Sequence, residues 1–497
     1  MKKLKRDNLT DLIQSLSVNE RRYFKLYSSL SPHTNYKKLF ALLDSGKEMS
    51  NEAIKKKLAN TNMNVSYEKK YLQKILLRSM RNYFEDSTIE ATLHKMQIEI
   101  DHLFNKELFS FCYMHIEEAM EIATNYELFT HQLQLLKWKR SCVVRLGNTE
   151  IRDRFSGEEA VLEQQCIERL ANLAGYKALQ QKIFLLLTQK GTALKEEDKR
   201  MAQEILDDPR MKDISLALSM QARVHFLEVK IWCYHCLHNL NAAFKYSGQL
   251  VRLFDENSRF IKLAPHGYLS ALATYYNRSY LLGKFAEADM ALNKAEGMLA
   301  LKDVAANHNL RCEIFYLSSE RKLMQYAYAG EFTKAVEQFE KNKYTWTRNK
   351  MKLRTSYYLL QYYFAALSHF YLRQYDIALK YLRKIVDEFD DKTRLDFVLF
   401  ARVLHLLTQF ELGNHDLLPY ISKSLQRFMK SRKIERESAE LIIKLLRTLA
   451  RHSGDKKATA RMMKLFKADL DKLEHNADDR ILNGTLMLKR WIDLRQI

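Results

Sequence analysis

A chain of 497 residues that is 47% hydrophobic is too apolar for a disordered polymer and too long for one compact core. It holds 13 Gly and 4 Pro where average usage would give about 35 and 25, which argues against a strand-and-turn architecture and for long helices with short connections. The net charge of +21 lies at the two ends: residues 1–85 carry 18 Lys/Arg against 8 Asp/Glu and residues 423–497 carry 19 against 10, while the stretch between carries 44 against 42.

The N-terminus, "MKKLKRDNLTDLIQ", is basic but lacks the apolar segment of a signal peptide. No run of about 18 apolar residues predicts a membrane span. Six cysteines, at 112, 142, 166, 233, 236 and 312, imply no disulfide framework and fit a reducing compartment. The expectation is a cytoplasmic protein. Its basic ends suit polyanions or acidic partners, although excess lysine also simply keeps a large helical protein in solution.

Residues 1–85 predict a small basic helical domain. "SVNE" at 17–20 is a capping box opening a helix over "RRYFKLYSSL". Ser50 precedes "NEAIKKKLAN", and Ser66 precedes "YEKKYLQKILLRSMRNYF", with the polar turn "TNMNV" between them. A short helix, a turn and a longer helix fit a helix-turn-helix module; the third helix would come from 19–30 or 34–44. On the longer helix Lys70, Lys74, Arg78 and Arg81 share one face, with Tyr71, Leu72, Ile75, Leu76 and Met80 on the other. Together with Lys55, Lys56 and Lys57 they are the candidate nucleic-acid contacts. A solvated helix face has the same pattern.

Residues 86–214 read as degenerate helical repeats. "NKELFSFCYMHIEEAMEIATNYE" has a turn, an aromatic and a stripe at Phe111, Met114, Ala119 and Ile122. Ser156 and Glu159 have capping-box spacing and predict a helix start there. Residues 431–497 predict closing helices.

Between 215 and 430 a unit recurs. "LLGKFAEADMALNKAEGML" places Gly283, Phe285, Ala288 and Ala295; "YAGEFTKAVEQFEKNK" places Gly330, Phe332, Ala335 and Phe339; "YLRQYDIALKYLRKIV" places Tyr375, Ala378 and Leu382. Weaker copies place Leu240 with Ala243, and Gly413 with Leu418. Positions 243, 288, 335, 378 and 418 are 45, 47, 43 and 40 residues apart. An apolar helix such as "SYYLLQYYFAALSHFYL" precedes each. The pattern predicts a helix, a turn and a second helix per period.

This arrangement resembles the tetratricopeptide repeat family, with a period longer than its usual ~34 residues. Armadillo or HEAT-like pairs have similar lengths. The resemblance implies an all-α, right-handed superhelix of antiparallel helical hairpins, in which a small residue lets paired helices approach and an aromatic plugs the turn. It also implies that first helices line a groove, where Asn277, Tyr280, Glu320, Arg321, Tyr363 and Phe364 would meet a peptide. The subgroup that clamps a peptide carboxylate with Lys and Asn is matched only by Asn277, since the other positions hold Ser270 and Ala273.

Other constellations are weaker. "WCYHCLH" at 232–238 brings Cys233, His235, Cys236 and His238 together, but one helical turn cannot wrap four ligands round a zinc ion. There is no P-loop, GxGxxG, GxSxG or HExxH pattern. Asp390–Asp391 and Asp478–Asp479 read as caps in turns. The expected function is therefore a non-enzymatic scaffold binding a protein or peptide, an acidic one among the candidates. It needs no cofactor or metal, and a homodimer fits equally well. The alternative is a nucleic-acid-binding regulator whose repeats sense a peptide or dimerise.

Overall fold

The computed structural model describes residues 8–29, 32–46, 49–58, 64–147, 149–190, 196–349, 351, 353–389, 394–432, 434–451, 456–473 and 477–495. Among them the chain forms 26 α-helices and no strand. It divides into two compact units, residues 1–265 and 266–497.

The first unit opens with α1 (Asn8–Ser15), α2 (Val18–Ser29), α3 (Asn35–Asp44), α4 (Asn51–Lys57) and α5 (Val65–Tyr83). These enclose a core of their own, built from Ile13, Phe24, Tyr36, Leu39, Ile54, Leu72, Leu76 and their neighbours. The unit continues with α6 (Ile89–Asn105), α7 (Phe109–Asn125), α8 (Phe129–Leu146), α9 (Thr149–Lys190), α10 (Glu196–Leu206), α11 (Met220–Cys236), α12 (Leu240–Glu256) and α13 (Arg259–Leu263). The second unit contains α14 (Pro265–Leu281), α15 (Phe285–Gly297), α16 (Lys302–Ala306), α17 (His308–Tyr328), α18 (Phe332–Arg348), α19 (Thr355–Tyr371), α20 (Tyr375–Glu388), α21 (Leu395–Glu411), α22 (Leu418–Arg432), α23 (Glu437–Arg451), α24 (Lys456–Lys472), α25 (Ala477–Thr485) and α26 (Leu488–Arg495).

Helices pack mainly on their neighbours in sequence: α6 on α7, α7 on α8 and α11 on α12 in the first unit, and α17 through α23 in turn in the second. α19 also touches α17 and α21. The reason lies in composition. α19 is apolar on every side, and a helix without a polar face has to be sandwiched; all but four of its 17 residues are buried.

One turn recurs. Glu107, Glu127, His238, Gly283, Gly330, Arg373 and Gly413 all have positive φ, between 53° and 78°. Each lies two residues before the next helical segment. In each case the following N–H reaches the carbonyl five residues back: Leu108 to Leu103, Leu128 to Ala123, Asn239 to Tyr234, Lys284 to Ser279, Glu331 to Tyr326, Gln374 to His369 and Asn414 to Gln409, at 2.8–3.1 Å. This is the Schellman pattern, which satisfies carbonyls that a helix end leaves open. The fourth residue of each following segment is then Cys112, Gln132, Ala243, Ala288, Ala335, Ala378 or Leu418, and all seven are buried. The residues aligned from the sequence thus hold one structural position, and α7 and α8 carry it too.

Other expectations change. The stripe on α7 is Cys112, Ile116, Ala119 and Ala123, whereas Phe111 and Met114 are exposed. Ser156 starts no helix, because α9 runs unbroken through it; buried Glu159 instead pairs with Lys139 of α8. Asn64 rather than Ser66 caps α5, accepting from the Tyr67 N–H. The capping box at Ser17 and Glu20 forms reciprocally, and Ser50 caps α4. Asp479 lies inside α25 and accepts the Ser438 N–H at 3.0 Å, so it caps α23 from a distance; Asp390 and Asp391 lie outside the described residues. No helix among the described residues is long and apolar enough to cross a membrane.

Candidate functional site

In the second unit, α14 and α17 bring together a cluster of tyrosines and charges. Tyr276 and Tyr280, one helical turn apart, stack with ring centroids 5.9 Å apart. The Arg321 guanidinium lies 5.0 Å over the Tyr276 ring and 3.2 Å from a Glu320 oxygen. Tyr280 also meets Tyr328 at 6.3 Å. Behind them Tyr316 packs on Tyr357 at 4.9 Å, and the Tyr357 hydroxyl is 3.0 Å from Ser319. Burial pushes the Tyr276, Tyr280, Tyr316 and Tyr357 phenols up, so all are neutral at ordinary pH. Within this cluster the Tyr276 hydroxyl, Glu320 Oε2 and Arg321 Nε are buried without a hydrogen-bond partner. Buried polar atoms are usually paired, so three together stand out.

Of the six residues expected at a groove, Tyr280, Glu320 and Arg321 belong to this cluster, and Asn277 follows Tyr276 on α14 half-buried. Tyr363 and Phe364 do not belong: both are fully buried. Their face of α19 is covered by the C-terminal helices. The Tyr363 hydroxyl donates to the Thr485 carbonyl at 3.2 Å, and Tyr371 donates to Leu486 and Met487 at 2.7 and 2.8 Å. Arg490 lies over the Phe332 and Tyr371 rings at 4.8 and 5.9 Å. Glu411 accepts from Trp491 Nε1 and from both nitrogens of the Arg495 fork. Tyr276, absent from the expected set, was hidden by its apolar surroundings; its position one turn before Tyr280 was the available signal.

The first unit displays the basic helices. α5 packs on α2, α3 and α4 through Leu72, Leu76 and Ser79. Lys70, Lys74, Arg78 and Arg81 point outward with exposed Tyr67 and Leu77. Lys56 and Lys57 at the end of α4 are exposed and Lys55 half-buried. None of the seven cations has a carboxylate partner among the described residues. The single acid of α5, Glu68, is 5% exposed and faces His33 and Asn35, each at 3.5 Å.

The remaining constellations read as core. Cys233 and Cys236 are fully buried in α11, and burial pushes the Cys233 thiol up to about 12. No cluster of three or more metal-ligating side chains occurs among the described residues. Cys112 and Cys142 face each other at 3.3 Å, buried, with the Cys142 thiol pushed up to about 12. A shallow hollow of about 510 Å³ lies between Ile98, His102, Phe111 and His115 on α6 and α7. No protein-family model matches the chain, and no curated protein matches it in sequence.

Proposed function

We propose that this protein is a non-enzymatic scaffold: a tetratricopeptide-like, right-handed superhelix of antiparallel hairpins whose first helices bind a peptide or helix of a partner protein. The observation that carries the reading is the α14–α17 cluster, where Tyr276, Glu320 and Arg321 hold three buried polar atoms without partners. Each such atom costs about 1–3 kcal/mol in isolation. Those atoms are themselves inaccessible, but half-buried Asn277, Tyr280 and Arg321 beside them offer a peptide polar and aromatic contact area. The ligand lies along α14 and α17, because α25 and α26 already cover Tyr363 and Tyr371. Arg321 favours a ligand with a carboxylate nearby.

A displayed random-peptide library selected on the full chain tests this. Enriched peptides are expected to lose at least tenfold in affinity on Arg321→Ala with Tyr280→Ala, and little on Lys341→Ala, an exposed control on α18. Peptides that bind the double variant as tightly as the native chain would remove the cluster from the proposal.

A further inference from the structure

We infer that the outer face of α4 and α5 binds B-form duplex DNA, with α5 against the major groove and its lysines and arginines on the phosphates. The inference is independent of the peptide site. On α5 this face is kept cationic by where its one acid points. Residues 1–85 hold 8 acidic residues, yet the only one on α5, Glu68, is turned into the core toward His33. Lys70, Lys74, Arg78 and Arg81 are left outward at spacings of four, four and three, with no carboxylate partner among the described residues. Elsewhere in the same unit some lysines are matched: Lys95 pairs with Asp86, and Lys139 with both Glu117 and Glu159. A stripe of unpaired cations attracts an equally regular row of anions.

The shape suits a duplex. α5 has 19 residues and is about 28 Å long. It is held from behind by α2, α3 and α4, so its outward face is presented rigidly, as groove insertion requires. B-DNA's major groove, roughly 12 Å wide, admits one α-helix. A-form RNA has a deep, narrow groove that does not. Exposed Tyr67 and Leu77 lie between the cations and give apolar contact for sugars and base edges. A membrane surface is disfavoured, because the apolar side of α5 is already spent on Leu72 and Leu76 in the module's core. Lys55 to Lys57 end α4, where they add a second row of phosphate contacts.

The test uses the full chain and a labelled 24-base-pair duplex, followed by fluorescence anisotropy across salt. Affinity is expected to fall with a log–log slope of about −4 to −6, near 0.9 per phosphate contacted. Lys70→Gln, Lys74→Gln and Arg78→Gln together are expected to reduce that slope by about 3. The control removes equal charge from α22 in the second unit: Lys423→Gln, Arg427→Gln and Lys430→Gln, all exposed. It is expected to leave the slope within 1. Circular dichroism checks that both triple variants keep their helices. Equal losses in the two triple variants would reduce the effect to net charge and overturn the assignment. So would duplex RNA or polyglutamate binding as tightly as DNA, or DNA binding that is absent or unchanged in the α5 variant.

Discussion

At the end of α21 the Glu411 carboxylate receives three donors from a helix 80 residues further along, Trp491 Nε1 and the Arg495 fork, at 2.7–2.8 Å. A charge-assisted, bidentate contact of this kind is stronger than a neutral one, and removing one side strands the other. Glu411→Ala is expected to cost about 2 kcal/mol of local stability at α26. Hydrogen exchange should then speed up roughly thirtyfold at the amides of 488–495; unchanged exchange would show that apolar packing alone holds the helix. His405 of α21 offers a pH test. Burial, then Arg383 and Arg402, pulls its pKa down to about 4. The folded value lies below the ordinary 6.5, so the neutral ring's contribution is complete above pH 6.5 and is lost as pH falls toward 4. The second unit should lose up to about 3 kcal/mol over that window. His405→Leu should flatten the part of the pH profile that this ring accounts for. If thermal midpoints of the variant and native chain run parallel from pH 7 to 4.5, the ring is not the titrating group.

The recurring element is the Schellman turn with a buried residue four into the next helix. Its left-handed position is occupied by Gly283, Gly330 and Gly413, but also by Glu107, Glu127, His238 and Arg373. An L-residue there costs about 1 kcal/mol. At Gly283 nothing lies within 4 Å of where a Cβ would stand, so backbone strain is the whole effect. Gly283→Ala is expected to destabilise the second unit by about 1 kcal/mol. Arg373→Gly should relieve strain and stabilise it by up to about 1 kcal/mol, less glycine's entropy. Urea midpoints that move the same way for both would break the equivalence of the two turns. The glycine turns were legible in the sequence because glycine and alanine report backbone freedom and close approach. The turn after α6 was legible in "NKELFSF", but its left-handed residue was not: Glu107 has no conformational signature, and two hydrogen bonds hold it in a geometry its side chain disfavours. For the same reason the α7 face was misplaced. An apolar stripe at Phe111 and Met114 has helical spacing, yet Cys112 follows the turn by the fixed offset and sets the buried side.

At the scale of the whole molecule, stability is distributed among separate cores. The α1–α5 core is contiguous within itself, and another runs from Leu323 to Ile492. Leu72→Ala removes a fully buried side chain and should cost about 3 kcal/mol. That loss should appear as faster exchange in α2, α3 and α5 while α19 and α21 keep their protection. Loss of protection in both places would mean that one cooperative transition spans the chain. The amino-acid order by itself determined the helical class, the scarcity of breakers, the recurring small residues at 288, 335 and 378 and the cationic stripe on α5, because each is a local property of spacing and side-chain type. Only the tertiary structure decided that Glu68 turns inward, away from that stripe. It alone showed that Tyr276 joins Tyr280 and Arg321, and that Tyr363 is sealed by Thr485, 122 residues away. Periodicity says which side of a helix is apolar; what comes to cover that side depends on contacts between segments far apart in the chain.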